Sequence, residues 1–167
     1  LREYDIRGIV GSTLTEKDAY ALGRSYAALA VNEGARSVAV GRDGRIHSPM
    51  LEKALIEGLT EGDIDVVRIG MGPSPMLYYA THELGVGGGI QVTGSHNPAN
   101  YNGFKLLLKG RSVFGQEIQA IGRRAATGDW YAVTLADPIT IKRIVFAHGR
   151  SFHDGGWFDS AQGKPPI

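Results

Sequence analysis

Apolar and polar positions along the chain alternate between short β-branched runs and longer stripes with helical spacing. The runs predict four strands, at Ser37 to Gly41, Asp65 to Ile69, Val86 to Val92 and Phe104 to Leu108. The stripes predict four helices, which begin near Thr15, Ser48, Ser74 and Gln116. Strands that alternate with helices indicate a parallel sheet covered on both faces, and the final strand-loop-strand pair adds an antiparallel strand. We therefore predict an α/β fold: a three-layer αβα domain with a mixed, mostly parallel sheet of about four strands.

The helix starts carry recognisable capping signals. Thr15 followed three residues later by Asp18 resembles a capping box at the start of the first helix. Ser48-Pro49 and Ser74-Pro75 each place a serine before a proline, the order expected for an N-cap and the first helical residue. We expect both serines to cap their helices.

Three polar loops follow predicted strands: GRDGRIHS from Gly41, GMGPSP from Gly70 and TGSHNPAN from Thr93. Ligands of such sheets bind outside the carboxyl ends of the strands. These loops are therefore where we look for chemistry.

Composition removes several classes of function. The chain has 18 Lys plus Arg against 17 Asp plus Glu, so its net charge of +1 gives no field that favours nucleic acid. It has no cysteine and no long apolar run, which excludes thiolate sites and disfavours membrane spanning. The first residues do not resemble a secretion signal, and we expect a cytoplasmic protein without nucleic-acid or membrane partners.

The segment TGSHNP, followed by Asn102-Gly103-Phe104-Lys105, concentrates chemistry in about a dozen residues. It contains the hydroxyl of Ser95, the imidazole of His96, the amide of Asn97 and the ammonium of Lys105. We expect Gly94 to let the backbone approach a ligand. The spacing does not match the nucleophile elbow of α/β hydrolases. From turn chemistry alone, an Asx-rich turn that only satisfies its own backbone remains open.

Two further segments carry arginines. Arg7, before Gly8, can present a guanidinium fork to a phosphate or can be a surface ion-pair partner. In Arg42-Asp43-Gly44-Arg45, Asp43 can hold one arginine while the other faces a ligand, or the segment can be a turn with two exposed arginines.

The pattern changes near the carboxyl end. From Gly128 onward, Gly-Gly, Pro-Pro and scattered aromatic residues occur without periodicity. We predict one domain over residues 1–130 and an atypical, poorly ordered tail over residues 131–167.

Several motifs together resemble the first domain of the α-D-phosphohexomutases, in the bacterial phosphomannomutase/phosphoglucomutase branch. They are YDIRG from Tyr4, VGRDGR from Val40, Pro73-Ser74-Pro75, TGSHNP from Thr93 and NGFK from Asn102. The resemblance extends over about residues 1–130 in unbroken order.

The resemblance implies a phosphoserine at position 95 that exchanges phosphate with hexose phosphates through a hexose 1,6-bisphosphate. It implies that Ser95, His96, Lys105 and Arg7 are catalytic and that Tyr4, Arg7, Asn97 and Lys105 bind substrate. It further implies Mg²⁺, held through an oxygen of phosphorylated Ser95. A phosphoserine has a charge of about −1.5 to −2 at pH 7, which suits these cations.

The resemblance also defines what this sequence does not contain. Members of that family have three further domains, II to IV, which supply the other metal ligands, a sugar-reading loop and a phosphate clamp. We therefore expect this chain alone not to complete turnover. Without the sugar-reading loop, the sequence does not indicate whether glucose or mannose is the preferred sugar. A noncatalytic phosphosugar-binding or interaction module remains the alternative. An isolated first domain exposes surface that normally packs on its neighbours, from which we expect weak self-association.

Overall fold

A computed structural model describes residues 5–128 and residue 130. In that part of the chain six strands form one sheet: β1 (Ile6–Ile9), β2 (Ser37–Arg42), β3 (Asp65–Met71), β4 (Gly88–Val92), β5 (Tyr101–Leu108) and β6 (Arg111–Ser112). Four helices flank it: α1 (Glu16–Asn32), α2 (Ser48–Glu61), α3 (Ser74–Glu83) and α4 (Gln116–Thr127). Tyr4 and the predicted tail lie outside the described residues.

The strand order is β1-β5-β4-β2-β3, with β6 paired to β5. Strands β4, β2 and β3 are parallel, whereas β5 runs antiparallel to its neighbours β1, β4 and β6. The predicted mixed α/β sheet is thus confirmed, but with six strands instead of about four. β1 contains Arg7 and Gly8 within four residues, and β6 has two residues, so neither shows a strand pattern of its own.

The helices cover the two faces of the sheet unequally. The main core contains Val38 and Val40 of β2 and Phe104 of β5, packed against residues of α1, α2 and α4. Ala39 and Leu107 face the other way and pack on Leu77 of α3. The alternation along each strand gives the three αβα layers.

The capping box at α1 is confirmed, because the Thr15 hydroxyl accepts from the Asp18 amide while the Asp18 carboxylate accepts from the Thr15 amide. The predicted serine caps are wrong. The N-cap residue is His47 for α2 and Pro73 for α3, and neither makes a side-chain capping bond. Ser48 does not cap its helix because its hydroxyl bonds to Asp43 and Asn102 instead.

The sheet places the three predicted loops at one edge. β2, β3 and β4 are parallel neighbours, so the segments after Arg42, Met71 and Val92 emerge together at their carboxyl ends. Antiparallel β5 brings the chain from the third loop back beside β1. Within the described residues, no helix combines the length and apolar character that crossing a membrane requires.

Candidate active site

The TGSHNP segment forms a compact turn immediately after β4. The Ser95 amide donates to the Thr93 hydroxyl at 2.9 Å, and the Asn97 amide donates to the Gly94 carbonyl at 3.1 Å. The Asn97 side chain donates to the same carbonyl at 3.0 Å. Ser95 has φ of +53°, in the left-handed region that non-glycine residues rarely adopt. The turn therefore holds its central serine in a conformation that costs free energy.

Ser95 is exposed at the surface, and its Oγ lies 3.3 Å from Nδ1 of His96, which is also exposed. This distance is at the long end of hydrogen bonding, and whether Oγ or Nδ1 donates depends on the imidazole tautomer. A base or proton donor thus adjoins an accessible hydroxyl, which is the arrangement that nucleophilic or group-carrying serines require.

Asp43, after β2, holds the start of this turn. Its Oδ2 accepts from the Gly94 amide at 2.8 Å, and its Oδ1 accepts from the Arg45 amide at 3.1 Å and from the Ser48 hydroxyl. Burial favours a higher pKa for this carboxyl, but hydrogen bonds from Ser48, Arg45, Gly94 and Thr93 outweigh it, so the pKa is lowered. The carboxylate is therefore ionised at neutral pH.

We expect Asp43→Asn to weaken the fold and to reduce its acid sensitivity. A lowered folded-state pKa gives stability that is present above the unfolded pKa, about 3.9, and is lost as pH falls through the folded value. The asparagine variant lacks this contribution, so its unfolding free energy should change less between pH 5 and lower pH. At pH 7 we expect a loss of about 1–3 kcal/mol, because donors lose a charged acceptor. Urea unfolding across pH measures both.

Asp18→Asn is the control for that experiment, since Asp18 caps α1 away from the turn. No pH-dependent difference between wild type and Asp43→Asn would contradict the assignment of this carboxylate as an ionised anchor.

Neither expectation for the two arginines beside Asp43 describes the structure fully. Asp43 holds Arg45, with Nε 3.4 Å from Oδ2. Neither arginine has an exposed side chain, because both are partly buried and paired within the protein. Arg45 donates to backbone carbonyls of the Ser95 turn. Arg42 pairs with Glu52, whose carboxylate is 1% exposed and also accepts from Arg68.

The expectation for Gly94 is also wrong. A Cβ added to Gly94 would lie 2.6 Å from Cδ of Arg45 and closer still to Cζ and Nε. The space over this glycine is therefore occupied by an arginine side chain and not kept open for a ligand.

Arg7 lies on β1 with its side chain 2% exposed, in an ion pair with Asp5 at 2.8 Å. Its Nη1 donates to the Thr93 carbonyl, at the beginning of the Ser95 turn. The structure thus brings Arg7 to the candidate site through the backbone of the turn. Tyr4, the other residue expected from this motif, lies outside the described residues.

Lys105 lies on β5, opposite Gln91 of β4, and is half-buried. Gly103, two residues earlier, pairs with Arg7, so Lys105 and Arg7 share one face of the sheet. Within the described residues, no hydrogen bond or ion pair joins Lys105 to Ser95, His96 or Asn97. The Lys105 ammonium is therefore not bonded to these three residues of the turn.

Sequence reasoning missed the buried support of the turn. Asn102 Nδ2 donates to Oγ of Ser48 at 2.9 Å, which links β5, the start of α2 and Asp43. The available signal was positional: a polar loop after β2 and a polar loop after β4 must meet when the two strands are parallel neighbours. Asn102 itself belongs to the NGFK motif.

The oxygen atoms around the Ser95 turn determine whether it could hold a metal ion. No group of three His, Cys, Asp or Glu side chains able to hold a metal ion occurs in residues 5–128 and 130. Asp43, the carboxylate beside the turn, is already bonded to three donors. Mg²⁺ is commonly held by one or two carboxylates together with phosphate oxygens and water. A phosphate on the exposed Ser95 hydroxyl would supply one oxygen ligand to such a set.

The fold and the site define a class of protein, an αβα domain that presents a serine turn at the carboxyl edge of its sheet. Residues 1–132 match the family described as "Phosphoglucomutase/phosphomannomutase, alpha/beta/alpha domain I". The chain belongs to this family.

Similar proteins agree with that assignment. The chain is 45% identical over 135 residues to "Phosphomannomutase/phosphoglucomutase" of Pseudomonas putida, and 48% identical over 147 residues to "Phosphoglucomutase" of Neisseria gonorrhoeae. These matches cover 81% and 88% of this chain but only 28% and 32% of the relatives. A crystal structure of a phosphoglucomutase/phosphomannomutase family protein from Burkholderia thailandensis superposes with a TM-score of 0.73 at 40% identity, covering 77% of this chain and 30% of that one.

Proposed function

We propose that this chain is the phosphoryl-carrying domain of a phosphohexomutase, with Ser95 as the residue that holds the phosphate. The observation that carries the proposal is the exposed Ser95 hydroxyl, presented on a left-handed turn beside His96 at the carboxyl edge of the sheet. Membership of the phosphoglucomutase/phosphomannomutase family supports it. The substrates are hexose phosphates, and the reaction moves phosphate between the 1- and 6-positions.

The proposed step balances without a further reactant. In the forward half, the 6-hydroxyl of a hexose 1-phosphate attacks the phosphorus of phosphorylated Ser95. The bond from phosphorus to Oγ breaks, and Oγ takes the proton of the attacking hydroxyl. The hexose 1,6-bisphosphate then reorients in the site. Oγ attacks the other phosphate and gives its proton to the departing sugar oxygen. The serine is phosphorylated again and the proton ends on the sugar oxygen that lost its phosphate, so the reaction is a reversible isomerisation.

The chain's own residues have separate parts in this proposal. Nδ1 of His96, 3.3 Å from Oγ, holds or supplies the proton that Oγ exchanges. The ammonium of Lys105 balances the phosphate charge, and Asn97 orients substrate oxygens. Arg7 supports the Ser95 turn from β1: its side chain bonds to the Thr93 carbonyl and adds a positive charge there. Phosphoryl transfer depends mainly on such positioning and electrostatics.

Mg²⁺ is part of the proposal, held through an oxygen of phosphorylated Ser95. When bound, the ion would neutralise charge on the phosphoryl oxygens. The other ligands would come from water or from regions that the relatives have beyond the matched 28–32% of their length.

The test is the location of phosphate on the chain. The purified chain is incubated with glucose 1,6-bisphosphate and Mg²⁺, digested, and analysed by mass spectrometry. We expect one phosphoryl group on the peptide that contains Ser95. If no phosphate reaches Ser95 while a calorimetric titration shows binding of glucose 1-phosphate, the noncatalytic phosphosugar-binding alternative replaces this proposal.

Lys105→Met tests the charge-balancing part of the proposal. The variant keeps a long side chain but removes the positive charge, so we expect phosphoryl incorporation at Ser95 to slow by about tenfold to a hundredfold. Lys109→Met is the matched control, because Lys109 lies beyond the end of β5 and pairs with Glu33. Equal rates for Lys105→Met and the control would remove Lys105 from the site.

A further inference from the structure

The guanidinium of Arg45 lies against the backbone of the Ser95 turn, although 50 residues separate the two in sequence. It makes four hydrogen bonds of 2.5 to 3.1 Å, all to carbonyl oxygens of this turn and the start of β5: those of Ser95, Asn97, Pro98 and Tyr101. Its side chain is 18% exposed. One planar cation is thus hydrogen-bonded to four carbonyl oxygens.

The surroundings fix this arginine in place. Asp43 bonds the Arg45 amide at 3.1 Å and faces its Nε at 3.4 Å, while the same carboxylate accepts from the Gly94 amide. Gly94 leaves room for the side chain, since a Cβ there would overlap it. The carboxylate therefore holds the beginning of the turn and the guanidinium holds the remainder.

This arrangement explains how Ser95 keeps an unfavourable backbone conformation. A left-handed φ is unfavourable for a non-glycine residue, and exposed turns relax unless their surroundings prevent it. Nη2 of Arg45 bonds the carbonyl of Ser95 itself at 3.1 Å and that of Asn97 at 2.6 Å. These bonds limit rotation of the peptide groups on the carboxyl side of the serine.

We propose that Arg45 is a positioning residue: it holds the Ser95 turn so that Oγ points to solvent, and it does so without contacting Oγ. This inference deepens the proposed function and rests on it for its catalytic meaning. A forked guanidinium is needed, because four acceptors in two directions exceed what one ammonium can satisfy with the same geometry.

The experiment measures amide hydrogen exchange by NMR in the full 167-residue chain. The variants are Arg45→Gln, Arg45→Lys and the control Arg111→Gln, which removes a forked arginine pair with Glu117 at the surface of α4. The reporting amides are those of Gly94, Asn97 and Tyr101, each hydrogen-bonded in this turn, and amides of β2 are the internal reference.

In Arg45→Gln we expect exchange of the three turn amides to accelerate by about tenfold to a hundredfold, with β2 unchanged. Arg45→Lys should give an intermediate acceleration, and the control none. An unchanged turn in Arg45→Gln overturns the proposal, as does equal acceleration in the turn and β2. Wild-type behaviour of Arg45→Lys would also overturn it, because charge and not the fork would then suffice. If Arg45→Gln does not fold, Arg45→Lys decides the matter by the same criteria.

A second measurement separates this inference from the proposed function. If wild type accepts phosphate on Ser95, we expect Arg45→Gln to lower the rate by about a hundredfold with affinity for glucose 1-phosphate retained, because misplacement of a reacting group costs rate more than binding. An unchanged rate overturns the catalytic part. If wild type accepts no phosphate, the proposed function fails, and the exchange data alone decide whether Arg45 positions the turn.

Discussion

Ser95→Ala is expected to abolish phosphoryl incorporation into the chain. The substitution removes the oxygen that would carry the phosphate, and within the described residues the hydrogen-bond partner of Oγ is His96. The backbone bonds of the turn do not involve Oγ, so the fold should persist. Because no other hydroxyl occupies this position, we expect incorporation to fall below detection, measured as the mass of the intact chain after incubation with glucose 1,6-bisphosphate and Mg²⁺.

Ser12→Ala is the matched control, since Ser12 is also an exposed turn serine but lies between β1 and α1. It should incorporate phosphate like wild type. Undiminished incorporation in Ser95→Ala would mean that another residue carries the phosphate, and the proposed function would then fail at its central residue. Far-ultraviolet circular dichroism of both variants verifies that the comparison is between folded chains.

The sheet could be predicted only where one strand carries its own signal. Runs such as Ser37–Arg42 are β-branched and bounded by turns, so β2 to β5 were found, with ends that differ by a few residues. β1 was missed because Arg7 and Gly8 interrupt it, and it exists through pairing with β5 almost a hundred residues later. That pairing also explains why β5 begins at Tyr101, three residues before the apolar run from Phe104 that predicts the strand.

The site shows the same division between local and long-range information. The motif around Ser95 predicts a cluster of reactive side chains, because their types and spacing are local. The local sequence does not show that the space beside Gly94 is filled by Arg45, which comes from a different loop. Local statistics predict that the serine before Pro49 caps α2, whereas in the structure its hydroxyl bonds to Asp43 and Asn102. Neighbouring parallel strands create these contacts, and only the topology reveals them.

A close helix crossing sets the position of the layer beneath the site. Helices α1 and α2 meet through two glycines, Gly23 and Gly58, whose missing side chains let the backbones touch. A Cβ on Gly58 would lie 3.0 Å from the Arg24 amide nitrogen and nearer still to the carbonyl oxygen of Tyr20. The obstructing atoms are backbone, which cannot swing away as a flexible side chain can. Since α2 begins at Ser48, this crossing also fixes the helix whose first residue contacts Asp43.

We therefore expect Gly58→Ala to destabilise the fold although alanine is the better helix former. Alanine gains about 1 kcal/mol in helix propensity over glycine, but overpacking against backbone atoms costs about 3 kcal/mol, so we expect a net loss of about 2 kcal/mol. Urea unfolding measures the difference. Gly44→Ala is the control, because a Cβ there meets only the Met71 sulfur, at 3.6 Å. A Gly58→Ala chain as stable as wild type would mean that α1 and α2 separate easily, and the rigid support inferred for the start of α2 would be lost with it.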